Sequence, residues 1–578
     1  MAPTDQLQEV KIMLHGTAAS EGIGIGKVML IEEHSLEYTP RTVTDTEAES
    51  QRFKAAVDAF CYNTEKQAEN LRSSAGEKEA EILAGHIQII KDPYLSGEIE
   101  KLIADGQCAE SALEHMCDMF IAMFSAADDE LTKQRAADVR DIKSGVLGIL
   151  LGVNEIKVSD APKGTVLVAK ELTPSVTAGI VKENIAGIIT ETGGTTSHSA
   201  ILARALEIPA VLSVEGVASS LKNGDTVVVD GSEGAVIVNP DDNTVAEYSK
   251  KRDAFLAERK ELENYRGRET KSASGEVYEL FCNIGKPEDA VKAVDADGEG
   301  VGLFRTEFLF MDRTSIPTED EQFEAYKKAA LILKGKSLII RTLDIGGDKD
   351  IPYLGLEKEE NPFMGFRAIR YCLKNRELFE SQIKAILRAS AFGDIKIMFP
   401  LITTMDELRE GKKLVAECKA DLRNMGINFN ENIQVGVMVE TASAAVIADM
   451  LAKEADFFSI GTNDLTGYTM ACDRGNSDVS YLYSPLQPSV LRMIKRTIEC
   501  GVQNGISVGM CGEAAANKLM IPLLISFGLT EFSVSAPSVL NVRKIISTWT
   551  KDEADKVTAK VLEMSTQQEI VEYLKSVV

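Results

Sequence analysis

Two groups of residues in this sequence have the types and spacing to do chemistry. The first centres on one histidine, His198, in the run Gly193-Gly194-Thr195-Thr196-Ser197-His198-Ser199-Ala200. A glycine pair and three hydroxyl residues precede it, and an amphipathic segment from Ala200 to Leu206 follows. The stretch Ile185-Ala186-Gly187-Ile188-Ile189-Thr190 upstream reads as a buried strand. His198 is therefore expected in a strand-to-helix turn near a helix N-terminus, where backbone N–H groups and the helix dipole favour an anion. Gly193 and Gly194 would allow close approach to the backbone. The setting suits a histidine that carries a phosphoryl group. The plain alternative is a histidine that only caps or packs in a turn.

The second group consists of charged residues that directly follow apolar runs. Arg305-Thr306-Glu307 follows one, and Arg341 ends another ahead of Asp344-Ile345-Gly346-Gly347-Asp348-Lys349. Glu440, Gly461-Thr462-Asn463-Asp464 and Cys511-Gly512-Glu513 end three more, while Arg367 and Arg474 lie in the segments after two of them. Four arginines and a lysine brought to one place repel each other unless an anion sits among them, and the guanidinium fork suits phosphate and carboxylate oxygens. Glu440 and Asp464 could hold a hard divalent ion, with substrate oxygens and water completing the shell as Mg2+ prefers. Cys511 could give or take a proton, since cationic neighbours tune a thiol. Each residue also has a plain alternative: Arg305 pairing with Glu307, Glu440 pairing with an arginine, Cys511 packing.

The elements that must position these residues follow from the hydrophobic pattern. From Tyr278 onward strand, loop and helix alternate eight times. The strand candidates are Leu280–Ile284, Gly300–Phe304, Ser337–Leu343, Ile395–Pro400, Gln434–Glu440, Asp456–Gly461, Ser507–Cys511 and Glu531–Ser535. Eight such units in about 300 residues predict a (β/α)8 barrel, which places its chemistry at the C-terminal ends of its strands. Upstream, strand signals occur at Gly22–Ile31, Gly164–Ala169, Ile185–Thr190, Thr226–Asp230 and Ala235–Val238. Between the first two the periodicity is helical, with Ala80, Leu83, Ile87 and Ile90 on one face. A helical bundle is thus inserted into an α/β domain. Residues 44–142 hold 21 Asp and Glu against 10 Lys and Arg, so the bundle is acidic, as a solvated surface can be. A polar helix rich in Lys and Glu, roughly Thr244 to Arg266, links the halves.

Composition sets the outer limits. A chain of 578 residues is too long for one core, and its net charge of -26 disfavours nucleic acid as a partner. Nine cysteines without regular spacing fit a reducing compartment. Met1 to Glu9 has no apolar core of a signal peptide, and no apolar run approaches a membrane span. The reading is cytoplasmic.

At these residues the chain resembles enzyme I of the bacterial phosphoenolpyruvate-dependent sugar phosphotransferase system over nearly its whole length. The motifs are GGTTSHSAILAR around His198, GVGLFRTEFLFMDR from Gly300, RTLDIGGDK from Arg341, NPFMGFRAIR from Asn361, FFSIGTNDLTGYTMACDRGN from Phe457 and GMCGE from Gly509. The resemblance implies an α/β multidomain fold: a swivelling phosphohistidine α/β domain (1–43 and 152–243) with an inserted helical HPr-binding bundle (44–151), a linker helix (244–270) and a phosphoenolpyruvate-binding TIM barrel (271–578). It implies phosphorylation of His198 by phosphoenolpyruvate and passage of the phosphoryl group to a histidine of the carrier HPr, with release of pyruvate. Arg305, Arg341, Arg367, Lys349, Asn463 and Arg474 would bind phosphate and carboxylate, Glu440 and Asp464 would ligate Mg2+, and Cys511 would protonate the enolate. Thr177 would orient the histidine, and a homodimer through the barrel is expected. Pyruvate phosphate dikinase and phosphoenolpyruvate synthase share the histidine segment and the barrel, but they add an ATP-binding domain that is not recognisable here. The sequence departs from the family's usual residues at Thr195 (Arg), Ala442 (Pro) and Gly467 (often Gln).

Overall fold

A computed structural model describes residues 12–31, 36–74, 77–126, 130–153, 158–177, 179–194, 197–311, 313, 315–346, 351–357 and 359–578. The chain divides into two compact units, Met1–Arg259 and Lys260–Val578.

The first unit is built on strands β1 (Ile12–His15), β2 (Thr17–Ser20), β3 (Ile23–Ile31), β4 (Thr165–Ala169), β5 (Ile185–Thr190), β6 (Ala210–Leu212), β7 (Thr226–Asp230) and β8 (Ala235–Val238). They form one sheet in the order β1-β8-β7-β3-β4-β5-β6-β2. β3, β4, β5 and β6 run parallel, and the remaining pairings are antiparallel. Every residue of β4 is buried, as expected of a strand covered on both faces. Lys27 to Ile31 pair in register with Thr165 to Ala169, so the chain leaves the sheet after β3 and returns beside it. Between the two lie the helices Thr46–Ser74, Glu77–Ile90, Pro93–Ala104, Ala109–Ser125 and Glu130–Leu151. They close on a core of their own that includes Phe53, Phe60, Ile99, Leu113, Ile142 and Val146. The short strands β1, β2 and β6 were not expected from the pattern.

The second unit holds β9 (Glu279–Ile284), β10 (Gly300–Arg305), β11 (Leu338–Arg341), β12 (Ile395–Phe399), β13 (Val435–Val439), β14 (Phe457–Ile460), β15 (Ser507–Met510) and β16 (Glu531–Val534). Each pairs in parallel with the next, and β16 pairs with β9 to close the barrel. Alternate strand residues, among them Leu280, Cys282, Ile340, Ile397, Val437, Phe458 and Phe532, face outward into a core shared with the surrounding helices. Burying each such side chain stabilises the fold by about 1.5–3 kcal/mol. The helices Glu319–Leu333 and Met405–Asn424 both begin with a capping box, Thr318 with Glu321 and Thr404 with Glu407, which ends the preceding loop at a defined residue. The polar helix runs Asp242–Leu262 and tightens into a 3-10 turn at Glu263–Tyr265. Among the described residues, no helix is long and apolar enough to cross a membrane.

Candidate functional site

The C-terminal ends of the barrel strands gather the expected charges. Arg305 is the last residue of β10 and lies in register with Arg341, the last of β11, so two guanidinium-bearing residues stand side by side. Arg341 is buried. Its Nη2 donates to Glu307 Oε1 at 2.6 Å, and its Nη1 meets Asp344 Oδ2 at 3.0 Å. Arg367, also buried, reaches Asp344 Oδ1 at 2.8 Å and Asp464 Oδ2 at 3.5 Å, and donates to the Tyr468 hydroxyl at 3.3 Å. Asp344 therefore bridges two buried cations. Burial opposes the charge on both arginines, but the facing carboxylates more than offset it and raise both pKa values. Arg341 Nε, shielded from solvent, has no hydrogen-bond partner among the described residues.

Two strained backbone positions aim this cluster. Ala368, immediately after Arg367, has φ +52° and donates its N–H to Ile345 O at 3.1 Å. Leu401 has φ +55° and donates its N–H to Glu440 Oε1 at 2.6 Å. Left-handed backbone at a non-glycine costs on the order of 1–3 kcal/mol and persists where the surroundings enforce it. Glu440, directly after β13, is buried, and burial together with Asp464 and Asp344 raises its pKa to about 8 against the pull of Arg341 and Arg367. Carboxylates held in mutual repulsion fit a divalent cation. Among the described residues no three His, Cys, Asp or Glu side chains form a ready metal cage, so Glu440 and Asp464 would need substrate oxygens and water to complete a shell.

Cys511 follows β15 directly and is buried, its Sγ 3.8 Å from Ile460 O. Burial raises the thiol to about 11, while the Ser459 hydroxyl, Arg341 and Arg305 work in the opposite direction. A thiol in that range is protonated at neutral pH and can act as an acid. Asn463 and Asp464 sit in the first turn of the helix Thr462–Met470, where the Tyr483 hydroxyl donates to Asn463 O at 3.0 Å. Arg474 is exposed in the loop after that helix, and its charge draws the Tyr483 hydroxyl pKa down while Asp464 pushes it up. Lys349 lies outside the described residues.

In the first unit the loop after β5 leads into a helix spanning His198–Leu206, so His198 stands at the helix N-terminus as its first residue. Ser197 is its N-cap, with Oγ accepting from Ala200 N at 3.3 Å. Gly193 has φ +107°, a turn conformation that favours glycine, and a Cβ there would crowd Ser197 Oγ at 3.1 Å. Gly193 O accepts from Ser213 Oγ at 2.7 Å, while Gly194 is exposed. Thr177 is buried at the end of the single turn Pro174–Thr177. Thr195 lies outside the described residues, as does the side chain of His198.

The barrel mouth thus brings Arg305, Arg341, Arg367, Glu440, Asp464 and Cys511 together. Glu307 turns to Arg341 rather than to Arg305, and Glu440 is held by a backbone N–H. The pattern reading missed Asp344 as the bridge, although its place three residues after Arg341 was a signal. Nothing in the sequence pointed to Tyr468 or to the Leu401 N–H.

Residues 259–550 match the family model for the PEP-binding domain of PEP-utilising enzymes. Residues 15–135 match the N-terminal domain of these enzymes, and residues 161–234 match their mobile domain. A phosphoenolpyruvate-protein phosphotransferase of Bacillus subtilis (strain 168) is 46% identical over 570 residues, 98% of this chain and 99% of its own length. One from Listeria innocua is 45% identical over 97% of this chain and 98% of its own length. The solution structure of an Enzyme I protein, nEIt, is 37% identical over 42% of this chain and 99% of its own, with a TM-score of 0.38.

Proposed function

The chain belongs to the phosphoenolpyruvate-protein phosphotransferase family, and from that premise we propose that it moves the phosphoryl group of phosphoenolpyruvate to His198 and then to a histidine of HPr, releasing pyruvate. The observation that carries this reading is the Arg341–Asp344–Arg367 cluster at the barrel mouth, two buried cations sharing one carboxylate beside Arg305. Such a pair takes up the oxygens of a compact, multiply charged anion. In this reading Arg305, Arg341, Arg367, Asn463, Arg474 and Lys349 hold the phosphate and carboxylate of phosphoenolpyruvate. Glu440 and Asp464 hold Mg2+, which when bound neutralises phosphate charge.

The transfer itself is positioning and electrostatics. The arginines orient the phosphate for attack by the neutral imidazole of His198. As the bridging P–O bond breaks, they balance the charge left on the enolate. Cys511 gives its proton to C3 of that enolate and forms pyruvate. At the N-terminus of its helix, the phosphoryl group on His198 gains from the dipole and from free N–H groups, and Thr177 orients the ring. The acidic helical bundle supplies the docking surface for HPr, and the barrel mediates a homodimer.

The reaction is tested with purified protein, phosphoenolpyruvate, Mg2+ and HPr, following phospho-HPr and pyruvate together. The proposal expects one pyruvate per phospho-HPr and a large rise in KM for phosphoenolpyruvate in Arg367→Ala. Pyruvate formed without phospho-HPr would refute it.

A further inference from the structure

The barrel interior is divided. On one side Leu303, Ile339, Met398, Met438 and Phe457 pack with Cys511 as an apolar cluster. The other side is polar. Leu280, Cys282 and Ile284 of β9, Phe458 and Ile460 of β14, and Phe532 and Val534 of β16 belong to the outer core, so Asn283, Ser459 and Ser533 between them face inward. Interiors of such barrels are ordinarily filled with branched apolar side chains. A polar patch beside Cys511, with Ser459 and Ser533 buried and Asn283 half-buried, therefore asks for a purpose.

The hydrogen bonds supply one. Asn283 Nδ2 donates to Cys511 O at 3.1 Å and to Ser533 O at 3.3 Å, and Asn283 Oδ1 accepts from Ser533 Oγ at 2.7 Å. The amide is held at three points in one orientation, because a flipped amide would set its oxygen against two carbonyl oxygens. The pairing of β15 with β16 ends at Met510, one residue short of Cys511. A side chain from β9, two strands away, reaches past β16 to take the carbonyl that the ladder leaves. The Cys511 N–H is held from the other side by Ile460 O at 3.1 Å.

We infer that Asn283, oriented by Ser533, is a positioning residue for Cys511: by binding the Cys511 carbonyl it fixes the strand end from which the thiol meets one face of the enolate. This rests on the reading of Cys511 as the acid. In the step it serves, the enolate π pair takes the thiol proton and forms the C3–H bond. The S–H pair stays on sulfur as thiolate, which solvent later reprotonates. Asn283→Asp places a carboxylate against two carbonyl oxygens and loosens that strand end.

The readout is the stereochemistry of protonation, which a residue of purely structural importance would not move. Phosphoenolpyruvate carrying deuterium at one C3 position is turned over in tritiated water. The pyruvate is trapped at once as lactate, and the chirality of its methyl group is measured. Wild type should give one methyl configuration. Asn283→Asp should give a largely racemic methyl group and pyruvate formation slower by about 100-fold, the scale of a misplacement near 1 Å. PEP-dependent labelling of the protein should fall far less. Ser533→Ala should racemise in part, and it decides the matter if Asn283→Asp does not fold. A single configuration retained in the folded variants overturns the inference. Cys511→Ala separates the two layers: chirality kept there sinks the acid assignment itself, whereas chirality lost there but kept in the Asn283 and Ser533 variants sinks only the positioning role.

Discussion

Replacing Glu531 with glutamine should make the barrel more stable at alkaline pH and leave it nearly unchanged at acid pH. Glu531 opens β16 and is buried inside the barrel, and its Oε1 has no hydrogen-bond partner among the described residues. Burial, reinforced by Glu279 and opposed by Lys396, raises its pKa from 4.5 to about 8. Above pH 4.5 the unfolded chain gives up this proton, while the folded barrel keeps it until about pH 8. The unfolded state thus binds fewer protons over that window, so rising pH favours unfolding, and the effect levels off once the folded carboxyl ionises too. At about 1.4 kcal/mol per pH unit, the accumulated loss is on the order of 5 kcal/mol. Glutamine cannot ionise and escapes it. With roughly 2–4 °C per kcal/mol for a domain of this size, Glu531→Gln should melt roughly 10 °C above wild type at pH 9 and close to it at pH 4.5. Trp549 is the single tryptophan of the chain and lies in the barrel unit, so its fluorescence follows this transition alone. An equal difference between variant and wild type at both pH values would refute the reasoning.

Three further outcomes follow from the barrel mouth. Asp344→Asn removes the carboxylate shared by two buried arginines and should cost roughly 3–5 kcal/mol in urea unfolding. Phosphoenolpyruvate should raise the midpoint of that variant more than that of wild type, and a variant as stable as wild type contradicts the bridge. Mg2+ should raise the thermal midpoint of wild type and leave Glu440→Gln unmoved, since the glutamine no longer supplies the repelled charge that a cation would relieve; an equal response in both would exclude Glu440 as a ligand. Cys511→Ala should still be phosphorylated by phosphoenolpyruvate but should form pyruvate at least about 100-fold more slowly, the usual contribution of a general acid. Pyruvate release at the wild-type rate would remove the acid role.

The barrel was legible because its strands are buried on both faces, so each reads as a short apolar run that ends abruptly in charge, as in Leu338-Ile339-Ile340-Arg341. β1, β2 and β6 were not legible. They are three or four residues long, and neighbours distant in sequence decide whether they pair, as Ile12 does with Val238. The helix after β5 begins at His198 because Ser197 caps it, a detail of local hydrogen bonding that the apolar pattern does not carry. Charge types at the mouth could be read, but their partners could not. Arg341 takes Glu307, 34 residues upstream, because parallel pairing of β10 with β11 places their ends together. The polar half of the interior was hidden for a related reason. A strand such as Glu531-Phe532-Ser533-Val534 alternates like one with a wet face, and only closure of the barrel turns that face inward.

The central claim is that His198 carries the phosphoryl group, and labelling with radioactive phosphoenolpyruvate and Mg2+ tests it most directly, with wild type set against His198→Ala. The account predicts acid-labile, base-stable label on wild type, none on the variant, and loss of the label to added HPr. Equal labelling of the variant, or pyruvate formed by wild type with no label on the protein, would contradict it.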